Sequence, residues 1–168
     1  RPPRSTLFPY TTLFRSLGTV AALPTVLAYG DCCPHMEELA TGPGVARTPG
    51  DNCCEIYLGT ERYRRLRKER TFFLMPEWAA RWESIFKEAL GLSTSALARE
   101  FVRQSMSKAA YIDTGTVPVP SGALAGFSAY TGLETSIETA GPEFFIAAME
   151  QARREALRSA RAGEKNRG

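Results

Sequence analysis

The chain has 168 residues, enough for one domain with its own hydrophobic core, and its apolar (43%) and charged (23%) fractions are those of a globular protein rather than a disordered one. No apolar run is long enough to span a bilayer, which argues against a membrane helix. The formal net charge of +3 comes from Arg1, Arg4 and Arg15 in a stretch without acids, so the remainder is neutral and offers no overall electrostatic case for nucleic acid.

Residues 1–16 read as foreign to the rest of the chain. The run Ser-Thr-Leu-Phe-Pro-Tyr-Thr-Thr-Leu-Phe-Arg-Ser at 5–16 resembles a translated sequencing-adapter artefact. Pro9 and the polar pair Thr11-Thr12 interrupt any apolar core of a signal peptide. We expect 1–16 to be non-native or disordered and the natural start to be missing. Residues 17–160 are expected to form a single α/β domain, and 161–168 a frayed polar tail. Without an export signal the expected compartment is the cytoplasm, where thiols stay reduced.

The first predicted element is a buried strand at 25–29, Thr-Val-Leu-Ala-Tyr, ended by Gly30-Asp31. Pro34 suits the first turn of a short helix whose apolar face is Met36, Leu39 and Ala40. Gly42-Pro43-Gly44 breaks that helix, Val45-Ala46-Arg47 reads as a second brief strand, and Thr48-Pro49-Gly50 as a turn. Asp51 or Asn52 then caps a helix whose first turn carries Cys53, Cys54 and Glu55. A further helix starts at Gly59-Thr60, with Tyr63 and Leu66 inward and Arg62, Arg64, Arg65, Arg67 and Lys68 outward.

Phe72-Phe73-Leu74-Met75 is a compact strand stopped by Pro76. From Glu77 the residues Trp78, Trp82, Ile85, Phe86, Ala89 and Leu90 recur at helical spacing, so the Trp78/Trp82/Phe86 stripe is expected in the core. Gly91 ends this helix, and Ser93 or Ser95 opens the next, through Leu97, Phe101 and Val102. A strand at 109–112 runs into Asp113-Thr114-Gly115; Pro118 and Pro120 stiffen the loop after it. A helix over 121–130 and a strand near 135–137 come next. Gly141-Pro142-Glu143 starts the last helix, with Phe144, Phe145, Ala148, Met149 and Ala152 on its inner face and a tail from Arg158 that should fray.

Strands and helices alternate throughout, which predicts an α/β protein: a Rossmann-like three-layer fold with a mostly parallel sheet and right-handed crossovers. Sites in such sheets form beyond the carboxyl ends of the strands. Asp31 and Cys32 follow one strand, Glu77 another, and Asp113 and Thr114 a third. All four cysteines sit in two adjacent pairs, Cys32-Cys33 and Cys53-Cys54, each in a short polar loop, and the chain's single histidine, His35, accompanies the first pair.

Two chemistries suit these residues. Cys32 and Cys53, with Glu55 or His35, form a donor set for zinc or another thiophilic metal. The pairs lack the Cys-x-x-Cys spacing of a zinc ribbon, and adjacent cysteines do not easily both reach one tetrahedral ion, so one sulfur per loop is expected. Cys33, Cys54, Asp31, Glu77, Asp113 and Thr114 would then line the surrounding pocket. The alternative is metal-free thiol chemistry, with the amides of a helix start lowering the pKa of a neighbouring thiol. Against both stands the plain possibility that the cysteines are small buried hydrophobes. The basic run from Arg62 to Arg70 reads as a solvated helix face; as a docking surface it would make the protein a non-catalytic binding module. No glycine-rich phosphate loop is present.

The segments Ala-Tyr-Gly-Asp-Cys at 28–32, Arg-Thr-Pro-Gly-Asp-Asn-Cys-Cys-Glu at 47–55 and Thr-Phe-Phe-Leu at 71–74 resemble a bacterial and archaeal family of unknown function, the domain-of-unknown-function family 1638. That family carries Tyr-Gly-Asp-Cys, Pro-Gly-x-x-Cys-x-Glu and Thr-Phe-(Phe/Tyr)-Leu motifs. The resemblance covers 25–91 well and the remainder loosely. It places Cys32, Cys53 and Glu55 on the pattern, while Cys33 and Cys54 depart from it. Members usually begin with a further strand–helix unit bearing Cys or His, which this sequence lacks. Some relatives are encoded near corrinoid-dependent methyltransferases. The resemblance therefore implies methyl transfer or cofactor handling, with a corrinoid protein or methyltransferase as partner and a corrinoid bound only through it.

Overall fold

The computed structural model describes residues 23–30 and 40–165. The helix expected around Pro34 lies outside them. Where the sequence reads as a single domain, the chain divides into two compact units, one made of Arg1–Asn52 and Ile146–Gly168, the other of Cys53–Phe145. Every strand pairing among the described residues is parallel, and the class is α/β.

In the first unit, β1 (Thr25–Leu27) pairs with β2 (Val45–Arg47), Thr25 opposite Val45 and Leu27 opposite Arg47. Leu27 packs with Tyr29, Ala40 and Val45. Ala46 and Val26 pack with Ala152 and Ala156 of the last helix, α6 (Glu143–Lys165). Small side chains at 152, 156 and 160 let backbones approach closely. Gly44, at φ +80°, comes against Ala160, and its N–H donates to the Ser159 hydroxyl at 3.2 Å. These contacts hold α6 in helical form through the polar stretch after Arg158, which composition alone marks as fraying.

The second unit is built on a three-stranded parallel sheet in the order β3-β4-β5: β3 (Thr71–Leu74), β4 (Lys108–Asp113) and β5 (Thr135–Thr139). The period of two along each strand sends alternate side chains to opposite faces. Phe72, Leu74, Ala109 and Tyr111 join one cluster with Ala79, Trp82, Phe86, Ala98, Val102, Leu124 and Phe127. Phe73 and Ile112 join another with Cys54, Leu58, Tyr63 and Leu66. The sheet is therefore covered on one face by α3 (Pro76–Ala80), α4 (Ser95–Arg103) and α5 (Ser121–Thr131), and on the other by α1 (Cys53–Leu58) and α2 (Thr60–Lys68). This is a three-layer arrangement. Both β-to-β crossovers, through α3/α4 and through α5, use the same face, as a constant crossover hand requires.

The segment expected as one helix from Glu77 to Leu90 is two elements. α3 ends at Ala80, and Ser84–Ala89 is a π-helix, with the Leu90 N–H donating to the Ile85 carbonyl five residues back. A helical period of 3.6 does not carry across that join. Trp82 and Phe86 are buried, whereas Trp78 is 49% exposed and is corrected from core to surface. Phe127 of α5 anchors the buried part: its ring meets Phe72, Phe86 and Trp82 at centroid distances of 5.8, 5.3 and 5.9 Å.

The basic run is also less uniform than its letters. Arg62 is turned to the sheet, not to solvent: Nε donates to Glu138 Oε2 at 3.0 Å and Nη1 to the Thr139 carbonyl at 2.7 Å. Arg70, the non-glycine residue with positive φ (55°) among those described, donates to the carbonyls of Ser105 and Arg103, both at 3.1 Å. Arg64, Arg65 and Lys68 remain exposed. No helix among the described residues is long and apolar enough to cross a membrane.

Candidate functional site

Because β1 and β2 are parallel and in register, both chains leave the pair at one edge, as Tyr29-Gly30 and as Thr48-Pro49-Gly50. Thr48, 0% exposed, ties these exits together. Its N–H donates to the Leu27 carbonyl at 2.9 Å, its hydroxyl accepts from the Tyr29 N–H at 3.1 Å and donates to the Tyr29 carbonyl at 3.1 Å. Arg47 Nη1 donates to the Gly50 carbonyl at 2.9 Å and braces the second loop. Beyond Thr48 the loops touch directly. A Cβ built on Gly30 would lie 2.7 Å from Asn52 C and 2.8 Å from Asn52 N. Gly30 stands two residues before Cys32, and Asn52 one before Cys53. Asp31, Cys32, Cys33 and His35 themselves lie outside the described residues.

The second loop feeds α1, as the Asp51-Asn52 capping signal predicts. Cys53 is exposed, Cys54 is buried, and neither is in a disulfide. Cys54 shares its cluster with Leu58, Tyr63, Leu66, Ile112 and Ala140, which fixes the turn on the sheet. The Cys54 thiol donates a hydrogen bond to the Cys53 sulfur and lowers the Cys53 pKa to about 7; burial opposes the shift, and the N–H groups of Cys54 and Cys53 assist it. The neighbouring thiol is thus the main cause, where the sequence pointed to the helix start. Glu55, 6% exposed, follows on the same turn. Tyr57 stacks on Phe145 at 5.2 Å, and Gly59, at φ +76°, ends the turn against the Phe144 ring.

The remaining expected pocket residues have local roles. Glu77 is exposed and paired with Arg81 at 3.5 Å. Asp113 ends β4 half-buried, and its Oδ1 accepts from the Gly115 N–H at 2.9 Å, a side-chain turn that holds the loop. The Thr114 and Thr116 hydroxyls are 2.7 Å apart. Among the described residues no group of three or more His, Cys, Asp or Glu could hold a metal ion.

One residue of interest escaped the sequence reading. Tyr111, in the middle of β4, is 0% exposed, and its hydroxyl has no hydrogen-bond partner among the described residues. Burial, and then the Asp113 charge two residues on, push its pKa up. The available signal was a tyrosine inside the apolar run Ala-Ala-Tyr-Ile that ends in Asp113.

A family model described as "Protein of unknown function (DUF1638)" matches residues 19–149, well over half of the chain, and the chain belongs to that family. No curated protein and no solved structure matches it.

Proposed function

We propose that this member of the DUF1638 family is a cysteine-centred protein that binds a thiophilic metal ion or a metal-bearing cofactor. Cys32 and Cys53 are the sulfur ligands, and Glu55 or His35 completes or orients the shell. The observation that carries the reading is the packing of Gly30 on Asn52, which brings together the two loops that lead into the cysteine pairs. The donor set of two thiols, an imidazole and a carboxylate suits zinc, and the exposure of Cys53 leaves its sulfur accessible. A metal-bound thiolate is activated for methyl transfer, so a corrinoid protein or methyltransferase is the partner we assign, in a cytoplasm that keeps the thiols reduced.

Elemental analysis of the full chain, purified under reducing conditions, tests this. The expected result is one equivalent of metal per chain, lost on Cys53→Ser and on Cys32→Ser. A metal-free wild type with native stability, or a Cys53→Ser chain that keeps its metal, overturns it.

A second reading is favoured by the exposure and lowered pKa of Cys53: a metal-free thiol enzyme or redox protein whose nucleophile is Cys53. An exposed thiol held against a hydrogen-bond donor, with a pKa near neutrality, is the usual setting of a reactive cysteine. Alkylation kinetics decide: Cys53 reacting no faster at pH 7 than a free thiol removes this reading.

A further inference from the structure

We propose that the outer edge of β5 is a self-association surface. A second copy of this chain lays its own β5 antiparallel along it, so that two three-stranded sheets join into one of six strands across a two-fold axis. Neither metal nor thiol chemistry enters into it.

The order β3-β4-β5 leaves β5 at an edge, and among the described residues no strand pairs with its far side. Backbone groups point alternately to the two sides of a strand. The Ala109 N–H donates to the Glu134 carbonyl and the Ala140 N–H to the Asp113 carbonyl, both at 2.8 Å, so the even-numbered positions face β4. Thr135, Ile137 and Thr139 therefore aim their N–H and C=O groups outward. Arg62 agrees with this direction: its Nη1 donates to the Thr139 carbonyl, which is not spent on β4. That carbonyl keeps a second lone pair. Natural edges are blunted by proline, lysine or a bulge. β5 has none of these, and its register with β4 is unbroken. Its central side chain, Ile137, is apolar and 54% exposed.

The occupant follows from the run Thr-Ser-Ile-Glu-Thr. Antiparallel pairing about Ile137 sets that residue against its own copy, Thr135 against Thr139, and Ser136 against Glu138. Just beyond, Glu134 meets Ala140. The whole strand overlaps, β-branched side chains meet on one face, and no carboxylate faces another. A slip of register loses this. A two-fold at Ser136 sets Glu138 against Glu134, and one at Glu138 sets that carboxylate against itself. Like charges directly opposite are destabilising. A two-fold at Thr135 or Thr139 overlaps the strands at a single residue. So short a strand pair buries less than the ~1,200 Å² of a standard interface, so the dimer forms and dissociates with concentration.

Sedimentation equilibrium of the full chain under reducing conditions tests this. The apparent mass should rise from one chain toward two across the micromolar range. Ile137→Lys should weaken the dimer by about a hundredfold, because two like charges would face each other at the axis. Leu97→Lys, at an exposed leucine of α4, should leave it unchanged. Amide exchange in the wild type reads the contact itself. The Ile137 and Thr139 N–H groups should slow as concentration rises, while those of Ser136 and Glu138, turned to β4, should not change. A chain monomeric throughout, a dimer undiminished by Ile137→Lys or lost equally with Leu97→Lys, or outward amides indifferent to concentration overturns the proposal.

Discussion

Gly30 and Asn52 meet backbone to backbone, and no side chain larger than hydrogen fits on Gly30 at that crossing. A methyl group would come within 2.7–2.8 Å of two Asn52 main-chain atoms and nearer still to its Cα. Main-chain atoms cannot step aside as a side-chain tip can. Gly30→Ala should therefore lower stability by about 1–3 kcal/mol or more, as overpacking does, and lower metal content with it. Gly122→Ala in α5 is the control. Its added methyl meets open space, and it should be neutral or stabilising by up to about 1 kcal/mol. Urea midpoints compare the two; equal midpoints would mean the crossing carries no constraint.

Thr48→Val keeps the shape of a buried residue and deletes the hydroxyl that accepts from the Tyr29 N–H. The Tyr29 amide keeps its bond to the Leu27 carbonyl at 2.9 Å, so the cost is that of the lost hydroxyl bond, about 0.5–1.5 kcal/mol. Thr48→Ser should recover most of the loss. Thermal melts of the three proteins provide the check, and a valine variant as stable as wild type would show that the hydroxyl does not bind the two exits.

Cys53 should alkylate with a midpoint near pH 7, and Cys54→Ala should move that midpoint upward, because the largest cause of the lowering is the Cys54 thiol. The sign for stability follows from the same shift. Between about pH 7 and the ordinary thiol value of 9.0 the unfolded chain holds the Cys53 proton and the folded chain has released it. Stability therefore rises with pH across that window, and the contribution is lost as pH falls through about 7. Denaturation at three pH values, in wild type and in Cys53→Ser, isolates the slope. An identical slope in both would contradict it.

Tyr111→Phe should be neutral or slightly stabilising. Removing a buried hydroxyl that has no partner among the described residues removes a desolvated polar atom and keeps the ring in its cluster. A loss of about 1–3 kcal/mol in the melt would instead reveal a bound water or ligand on that oxygen.

Much of the second unit is written locally. Phe72-Phe73-Leu74 before Pro76, and the apolar run before Asp113, announce β3 and β4; Asp51-Asn52 announces α1. What escaped depends on distant partners. Trp78 reads as core only if one helical period runs from Glu77 to Leu90. The π-helix at Ser84–Ala89 interrupts it, in a segment where Phe86 and Trp82 fit around Phe127, some forty residues further on. Arg62 belongs by its letters to a solvated run, yet it meets Glu138 across 76 positions. At the candidate site, the alternation of strands and loops was enough to point to the Gly30 and Asn52 turns.

Arg70 holds a left-handed backbone just before β3, while its guanidinium grips the carbonyls of Arg103 and Ser105 just before β4. The Ser107 N–H returns to the Arg70 carbonyl at 2.9 Å, and its hydroxyl to the Glu69 carbonyl at 2.6 Å. Two strand origins that lie far apart along the polypeptide are thereby latched as one. Their amides should exchange with deuterium together, as a single cooperative opening, so that slackening one origin unfastens the other.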